Sequence, residues 1–475
     1  MSSAAPQPLA LRDRLIAFLE SEENELNEQL TGTTSLIKSG ALDSLGVFNL
    51  ATWIERELNC EIDPMTFDLA SEWDTVDQIV GFVSRRSDPV SDHAPARTAH
   101  YEIVPYSSAF KWRVAELQRH LWSSNPSRNR DYLEWKYERN PYLQPSLIFL
   151  ALSGSEVVGM RGVLGSRWEV GSPTRSVVLP YAADLVARPD HRNTGLITSI
   201  LKSPFKELRA RNHRYVINLS ASQMTLALSL GLGWHSAGDV RLVVRRRRAW
   251  LREHRAYRIV RHTPLLWRFA TTIAPLASGL RGRPFRALDS NPAHRRRFSP
   301  VTITQAPRPE AMGDLVRRLG HDGRLRHVRD AEYFNWRFQN PLAAYRFLFH
   351  GGNQLDGYLV LEASTSDLHD RNTVTIVDWE GADDTVRAQL LDAALSGGDF
   401  VAVNCWSGTL PASSRDCLAK AGFVAPEGTE RNELRRPAVL LKSVREDEAP
   451  ANWAIQGAPL LDLSSWDLRA LAGML

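Results

Sequence analysis

Cysteine is nearly missing from this chain: three in 475 residues, at Cys60, Cys405 and Cys417. Three cysteines make no even disulfide framework, and their spacing suits no metal site, which fits a reducing cytoplasm. Long apolar runs are missing too. Spanning a bilayer takes roughly 18 apolar residues, and the uncharged stretch Phe269 to Leu280 is too short for that. No basic start followed by an apolar run opens the chain, so no secretory signal is visible and a cytoplasmic location is expected. Also lacking are a convincing Ser-His-Asp set and a nucleic-acid motif. His213 and His235 stand alone, and a lone histidine is more often structural than catalytic. What remains is a length suited to about three domains and enough apolar residues, 43%, to pack their cores.

The net charge of +4 conceals a split. Residues 1 to 84 carry 15 acids against four bases, whereas the remainder carries 54 bases against 39 acids. Two parts of opposite sign attract each other, and salt weakens the attraction. Within the acidic part lies the run Ser39-Gly40-Ala41-Leu42-Asp43-Ser44-Leu45-Gly46. A serine sits between an acid and a leucine, ahead of an amphipathic helix with Val47, Ala51, Ile54 and Leu58 on one stripe. A helix start offers free backbone amides and a favourable dipole to a phosphate. Around it, residues 9 to 20 read as a helix with Leu11, Leu15, Phe18 and Leu19 apolar, and Glu72 opens another with Val76, Ile79, Val80 and Val83 inward.

This layout resembles an acyl or peptidyl carrier protein over residues 8 to 86. The resemblance implies an all-α four-helix domain and a 4'-phosphopantetheine arm on Ser44. It also implies two partners, a phosphopantetheinyl transferase and an acyl-loading enzyme. Residues 87 to 100 are polar and Pro-bearing and read as a flexible linker, which raises the carrier's local concentration at its neighbours.

Beyond the linker the chain repeats itself. Asp131-Tyr132-Leu133-Glu134-Trp135-Lys136-Tyr137-Glu138-Arg139-Asn140-Pro141 is echoed, one residue out of step, by Ala331-Glu332-Tyr333-Phe334-Asn335-Trp336-Arg337-Phe338-Gln339-Asn340-Pro341. Each reads as a helix ending before Asn-Pro, then a strand, a glycine turn and a second strand, and the shared order points to duplication. In the first copy the strand Tyr181 to Ala187 runs into Arg188-Pro189-Asp190-His191-Arg192-Asn193-Thr194-Gly195, and a helix follows. Arg192 supplies charge and Gly195 close backbone approach, which together suit a pyrophosphate.

That turn resembles the donor motif of the GNAT acyltransferase superfamily, over residues 101 to 245, and Gly231-Leu232-Gly233-Trp234 resembles the family's closing segment. The family's small residue is replaced by Ile197, and no phenol stands in the closing helix. The second copy, residues 301 to 445, has Glu380, Asp383 and Asp384 where the cradle should be, and these would repel a pyrophosphate. It is expected to be a degenerate GNAT-like domain, structural or acceptor-binding. The fold class is thus a helical carrier domain followed by two α/β (α+β) domains with central mixed sheets, with a tail at 446 to 475.

The resemblance implies direct attack of an amine on a thioester. Asp184 is the candidate base, with a neighbour-bonded structural carboxylate as the alternative. The amide of Val186 or Ala187 is the candidate oxyanion donor, and Asn218, Ser220 and Ser222 are placed to line the acceptor pocket. Residues 246 to 300 connect the copies, and 245 to 297 hold 15 arginines against Glu253 and Asp289. Three readings stay open there: a basic helix on an anionic membrane, a dock for the acidic carrier, or a solvated linker. The expected activity is N-acyl transfer from the chain's own carrier to a small-molecule amine. The rivals are an acyl-CoA-dependent acetyltransferase with an accessory carrier, and a non-catalytic scaffold that binds carriers.

Overall fold

A computed structural model describes residues 11–21, 30–36, 42, 44–58, 72–87, 101–191, 196–219, 226, 229–230, 232–246, 285, 288, 301–368, 373–398, 400–426, 438–445 and 448–473. The N-terminal part forms α1 (Leu11–Ser21), α2 (Ser44–Leu58) and α3 (Val76–Ser87). Leu15 and Leu19 of α1, Leu50 and Ile54 of α2, and Val76, Ile79 and Phe82 of α3 are buried together. The apolar spacing therefore marks the inward faces, as in any amphipathic helix packed on a core. The expected neighbours Ala51, Leu58 and Val80 are only half-buried. An Arg14–Glu57 pair, 2.6 Å between Nη2 and Oε2, ties α1 to α2.

The remainder holds two sheets. Its first half supplies β1 (Glu102–Pro105), α4 (Lys111–Leu117), α5 (Pro126–Leu133), β2 (Leu147–Ser153), β3 (Glu156–Val170), β4 (Arg175–Ala187), α6 (Leu196–Ala210), β5 (Tyr215–Asn218), β6 (His235–Asp239) and β7 (Leu242–Arg246). The second half supplies β8 (Val301–Thr304), α7 (Pro309–Leu319), β9 (Leu325–His327), α8 (Ala331–Arg337), β10 (Ala343–Gly351), β11 (Leu355–Ser364), β12 (Thr373–Gly381), α9 (Asp384–Gly397), β13 (Ala402–Trp406), α10 (Ala412–Lys420) and β14 (Ala438–Ser443). Each half runs edge strand, helix pair, antiparallel hairpin ladder, then a crossover helix into a parallel strand: β4 pairs β5 in parallel, and β12 pairs β13 in parallel.

The last strand of each half lies in the other half's sheet. The first sheet is ordered β1-β2-β3-β4-β5-β14-β6, and the second β7-β13-β12-β11-β10-β8. β14 is antiparallel to both β5 and β6, so a strand from the far end of the chain fills the slot between them. Reciprocally, β7 pairs with β13 and carries a bridge from Val244 to Val424. A boundary drawn at residue 245 therefore falls inside β7, a strand of the second sheet.

The helices of the two copies meet at a pair of tryptophans. Trp135 Nε1 donates to Trp336 O at 2.7 Å, and Trp336 Nε1 donates to Trp135 O at 2.8 Å. Their rings stack with centroids 5.3 Å apart, a geometry worth roughly 0.5–1.5 kcal/mol beyond area burial. The one-residue slip in the repeat has a cause. Residues Glu134–Glu138 form a π-helical turn at the end of α5, whereas α8 stays α-helical to Arg337. The wider turn takes in one extra residue between the tryptophan and Asn-Pro.

The C-terminal stretch, expected as a tail, is packed into the middle of the molecule. Trp466–Asp467 runs parallel to β9, which in turn pairs with β3. Trp466, Leu468 and Leu471 are buried in the apolar cluster that also holds Trp135 and Trp336. Arg469 joins Asp467, Glu380 and Arg329 in a buried charge network around Asp378. Burial alone would raise the Glu380 carboxyl, but Arg329 and Arg469 beside it hold it down at about 2.

Candidate active site

The candidate centre lies where two adjacent strands part. β4 and β5 pair at a single position, Tyr181 with Ile217. The corresponding strands of the second half, β12 and β13, pair at four, from Thr373–Ala402 to Ile376–Cys405. Among the described residues, β4 thus has no partner in β5 from Ala182 onward, and β12 has none in β13 from Val377 onward. Arg188 N donates to Val158 O across β3 at 2.8 Å. By the alternation of an antiparallel ladder, Val186 also points into β3, while the amides of Leu185 and Ala187 face the opening. Of the two expected oxyanion donors, Ala187 is the one whose N–H is directed there.

A bulge lies just before these amides. Arg161 of β3 opposes Leu185 and Gly162 opposes Ala183, which leaves Asp184 unpaired between them. Its φ of 44° is left-handed, a conformation aspartate tolerates better than most side chains. A Cβ on Gly162 would overlap the Tyr137 hydroxyl, so the strand opposite the bulge has room only for glycine.

The side chain of Asp184 points into the core. Its Oδ1 accepts from Lys136 Nζ at 2.7 Å, and the two side chains are only 1% and 2% exposed. Lys136 Nζ also donates to Tyr132 Oη at 3.1 Å and lies 4.9 Å from the Trp122 ring centroid. Burial pulls the Lys136 ammonium below its ordinary pKa, against the opposing pull of Asp184. Burial likewise pushes Arg161, on the strand beneath, down to about 10. The expected base is thus already paired. Each is the other's buried charge partner, and removing one partner of such a pair costs about 3–5 kcal/mol.

Of the other expected site residues, Asn218 is buried at the end of β5, opposite Leu440 of the exchanged strand. Arg192, Gly195, Ser220 and Ser222 lie outside the described residues. Ile197 is buried against Val158, Ala187, Leu196 and Ile200. Its side chain thus packs between α6 and the sheet. Ser44 is the first residue of α2, and the loop before it is pinned by buried Leu42, whose N donates to Leu36 O at 2.8 Å. Beside the end of β4 is a cavity of about 680 Å³, lined by α4, the turn between β2 and β3, and Arg188.

The second half has the corresponding bulge and strand parting but differs in its charges. Asp383 caps α9 by accepting from Val386 N at 2.8 Å, so its own carboxylate occupies the helix start. Asp378 of β12 stands one residue out of register with Asp184. There the bulge falls on Val377, and Asp378 binds Arg329 at 2.7 Å and Tyr358 Oη at 2.7 Å. No group of His, Cys, Asp or Glu that could hold a metal is found among the described residues, and none of their helices is long and apolar enough to cross a membrane.

Residues 105–235 match the family model described as an acetyltransferase (GNAT) domain, and residues 13–83 match the one described as a phosphopantetheine attachment site. The chain therefore joins a phosphopantetheine-bearing domain to a GNAT domain, and it is an acyltransferase. Among solved structures it is similar to a GCN5-related N-acetyltransferase from Anabaena variabilis ATCC 29413, at 12% identity and a TM-score of 0.43, over 73% of each chain. It is similar also to Eis1 from Mycobacterium abscessus, at 14% identity and a TM-score of 0.41, over 73% of this chain and 74% of that one. A tandem GNAT protein from the clavulanic acid biosynthesis pathway shares 12% identity with a TM-score of 0.40, over 74% of this chain and all of its own. No curated protein matches the chain.

Proposed function

We propose that this protein is an N-acyltransferase that moves an acyl group from its own carrier domain to a small amine. One observation carries the reading: the parting of β4 and β5 lies in the half that matches the GNAT domain, in a chain that also matches a phosphopantetheine attachment site. Ser44 would hold the 4'-phosphopantetheine, and its position at the first turn of the 15-residue α2 suits a phosphate. When bound, that arm supplies a thiol able to hold acyl groups. The carrier is a four-helix domain. A phosphopantetheinyl transferase and an acyl-loading enzyme act on it.

The chain's own residues supply alignment and polarisation. The Ala187 amide, aimed into the opening, donates to a carbonyl oxygen placed there. Arg192 and Gly195 cradle a phosphate at the start of α6, whether it comes from the arm or from acyl-CoA. Asn218, Ser220 and Ser222 flank the acceptor. Asp184 supports this arrangement from the core instead of taking the proton.

The test is Ser44→Ala in the full chain, with the carrier loaded enzymatically and product followed by mass spectrometry. Product is expected to vanish with carrier-linked donor. Undiminished turnover with free acyl-CoA in the same variant would favour the acyl-CoA-dependent reading, in which the carrier is accessory.

A further inference from the structure

We propose that Lys136 is a positioning residue: through its ion pair with Asp184 it holds the β4 bulge in the left-handed conformation that turns the amides beyond it into the sheet opening. The inference rests on the acyltransfer reading above for its functional consequence.

Three observations converge on the pair. The first is its place. Asp184 is the bulge residue itself, with φ 44°, and the Ala187 amide follows three residues later on the open edge. A left-handed non-glycine residue in a strand needs an anchor to persist. The anchor is a 2.7 Å contact between side chains that water does not reach, where attraction between opposite charges is least screened.

The second is the π-helical turn. It spans Glu134–Glu138 and so contains Lys136, and such turns cluster where a helix must re-aim one side chain. The third is the comparison within the molecule. In the second half the helix stays α-helical, and Arg337 reaches Glu362 on β11 at 3.0 Å. The bulge there falls on Val377, and no residue of β12 is left-handed. In that half, too, the parallel ladder ends before the bulge, at Ile376. The extra helical residue, the lysine-paired carboxylate at the bulge and its left-handed backbone thus occur together in one copy and are missing from the other.

The test removes both charges at once in the full-length chain, so that neither is left buried and alone. Lys136→Met with Asp184→Gly keeps a residue that takes a positive φ freely. Lys136→Met with Asp184→Val puts there a β-branched residue that does not. Two readouts are taken. Amide hydrogen exchange over residues 182–188, without substrate, reports the bulge. Single-turnover transfer of an acetyl group from the loaded carrier is measured with glycine, glucosamine and spermidine as acceptors.

The expected result is at least tenfold faster exchange and at least tenfold slower transfer in the valine variant than in the glycine variant. Wild-type exchange in both variants overturns the proposal, because the bulge then needs no anchor. Equal loss of transfer in both, with equal exchange, also overturns it, because the pair would then act by its charge. If the wild-type chain acylates none of the three amines, the function proposed above fails for them, and exchange alone decides the role of Lys136. Should the valine variant not fold, Lys136→Met with Asp184→Asn replaces it: exchange faster than in the glycine variant supports the anchor, and wild-type exchange refutes it.

Discussion

His327 is a buried imidazole wedged between Trp168 and Tyr333, with ring centroids 5.1 and 4.3 Å away. Burial holds its pKa down at about 3. An unfolded chain takes up that proton near pH 6.5 and the folded one does not, so folding stability is lost as pH falls below 6.5 toward 3. At pH 5 the loss relative to pH 7.5 is about 2 kcal/mol. Urea unfolding of His327→Phe at the two pH values is expected to show that much less acid sensitivity than the wild type. Gly162→Ala is expected to destabilise by about 1–3 kcal/mol through overpacking against Tyr137, read from the same unfolding curves. At this scale the sequence was partly legible. Asp184 stood out as a carboxylate on an apolar strand, but the base reading lacked its partner. The signal was there in Lys136, a cation inside the run Tyr132-Leu133-Glu134-Trp135-Lys136-Tyr137, where a solvated lysine has no reason to sit. Sequence spacing could not say that a π-helical turn would swing it inward.

The elements themselves followed their patterns. The strand read at Tyr181 to Ala187 lies within β4 and ends with it at Ala187, because an apolar run closed by a turn specifies local structure directly. Partner choice is another matter. β7 reads the same whether it closes its own sheet or its neighbour's, and local pattern carries no sheet address. The exchange makes a sharp prediction. A protease site placed within residues 251–284 and cut in the folded protein should leave one species in gel filtration, since β7 and β14 each remain locked in the opposite sheet. Halves that drift apart without denaturant would refute the exchange.

For the molecule as a whole, the charge split sets a testable dependence. The acidic first 84 residues and the basic remainder attract over distances comparable to the Debye length, about 10 Å at 0.1 M salt. Transfer from the chain's own carrier is expected to slow several-fold between 0.05 and 0.5 M salt (roughly, from screening), while the rate with free acyl-CoA changes less. Steady-state rates with both donors check this.

The crossed indole bonds between Trp135 and Trp336 have one more consequence. They have the symmetry of two like subunits meeting across a dyad, and in a homodimer every change on one side would recur on the other. Here a single polypeptide spans both sides, so each can drift alone. One side pairs its bulge carboxylate with a lysine, while its twin fills the same corner with arginines and acids that brace the scaffold.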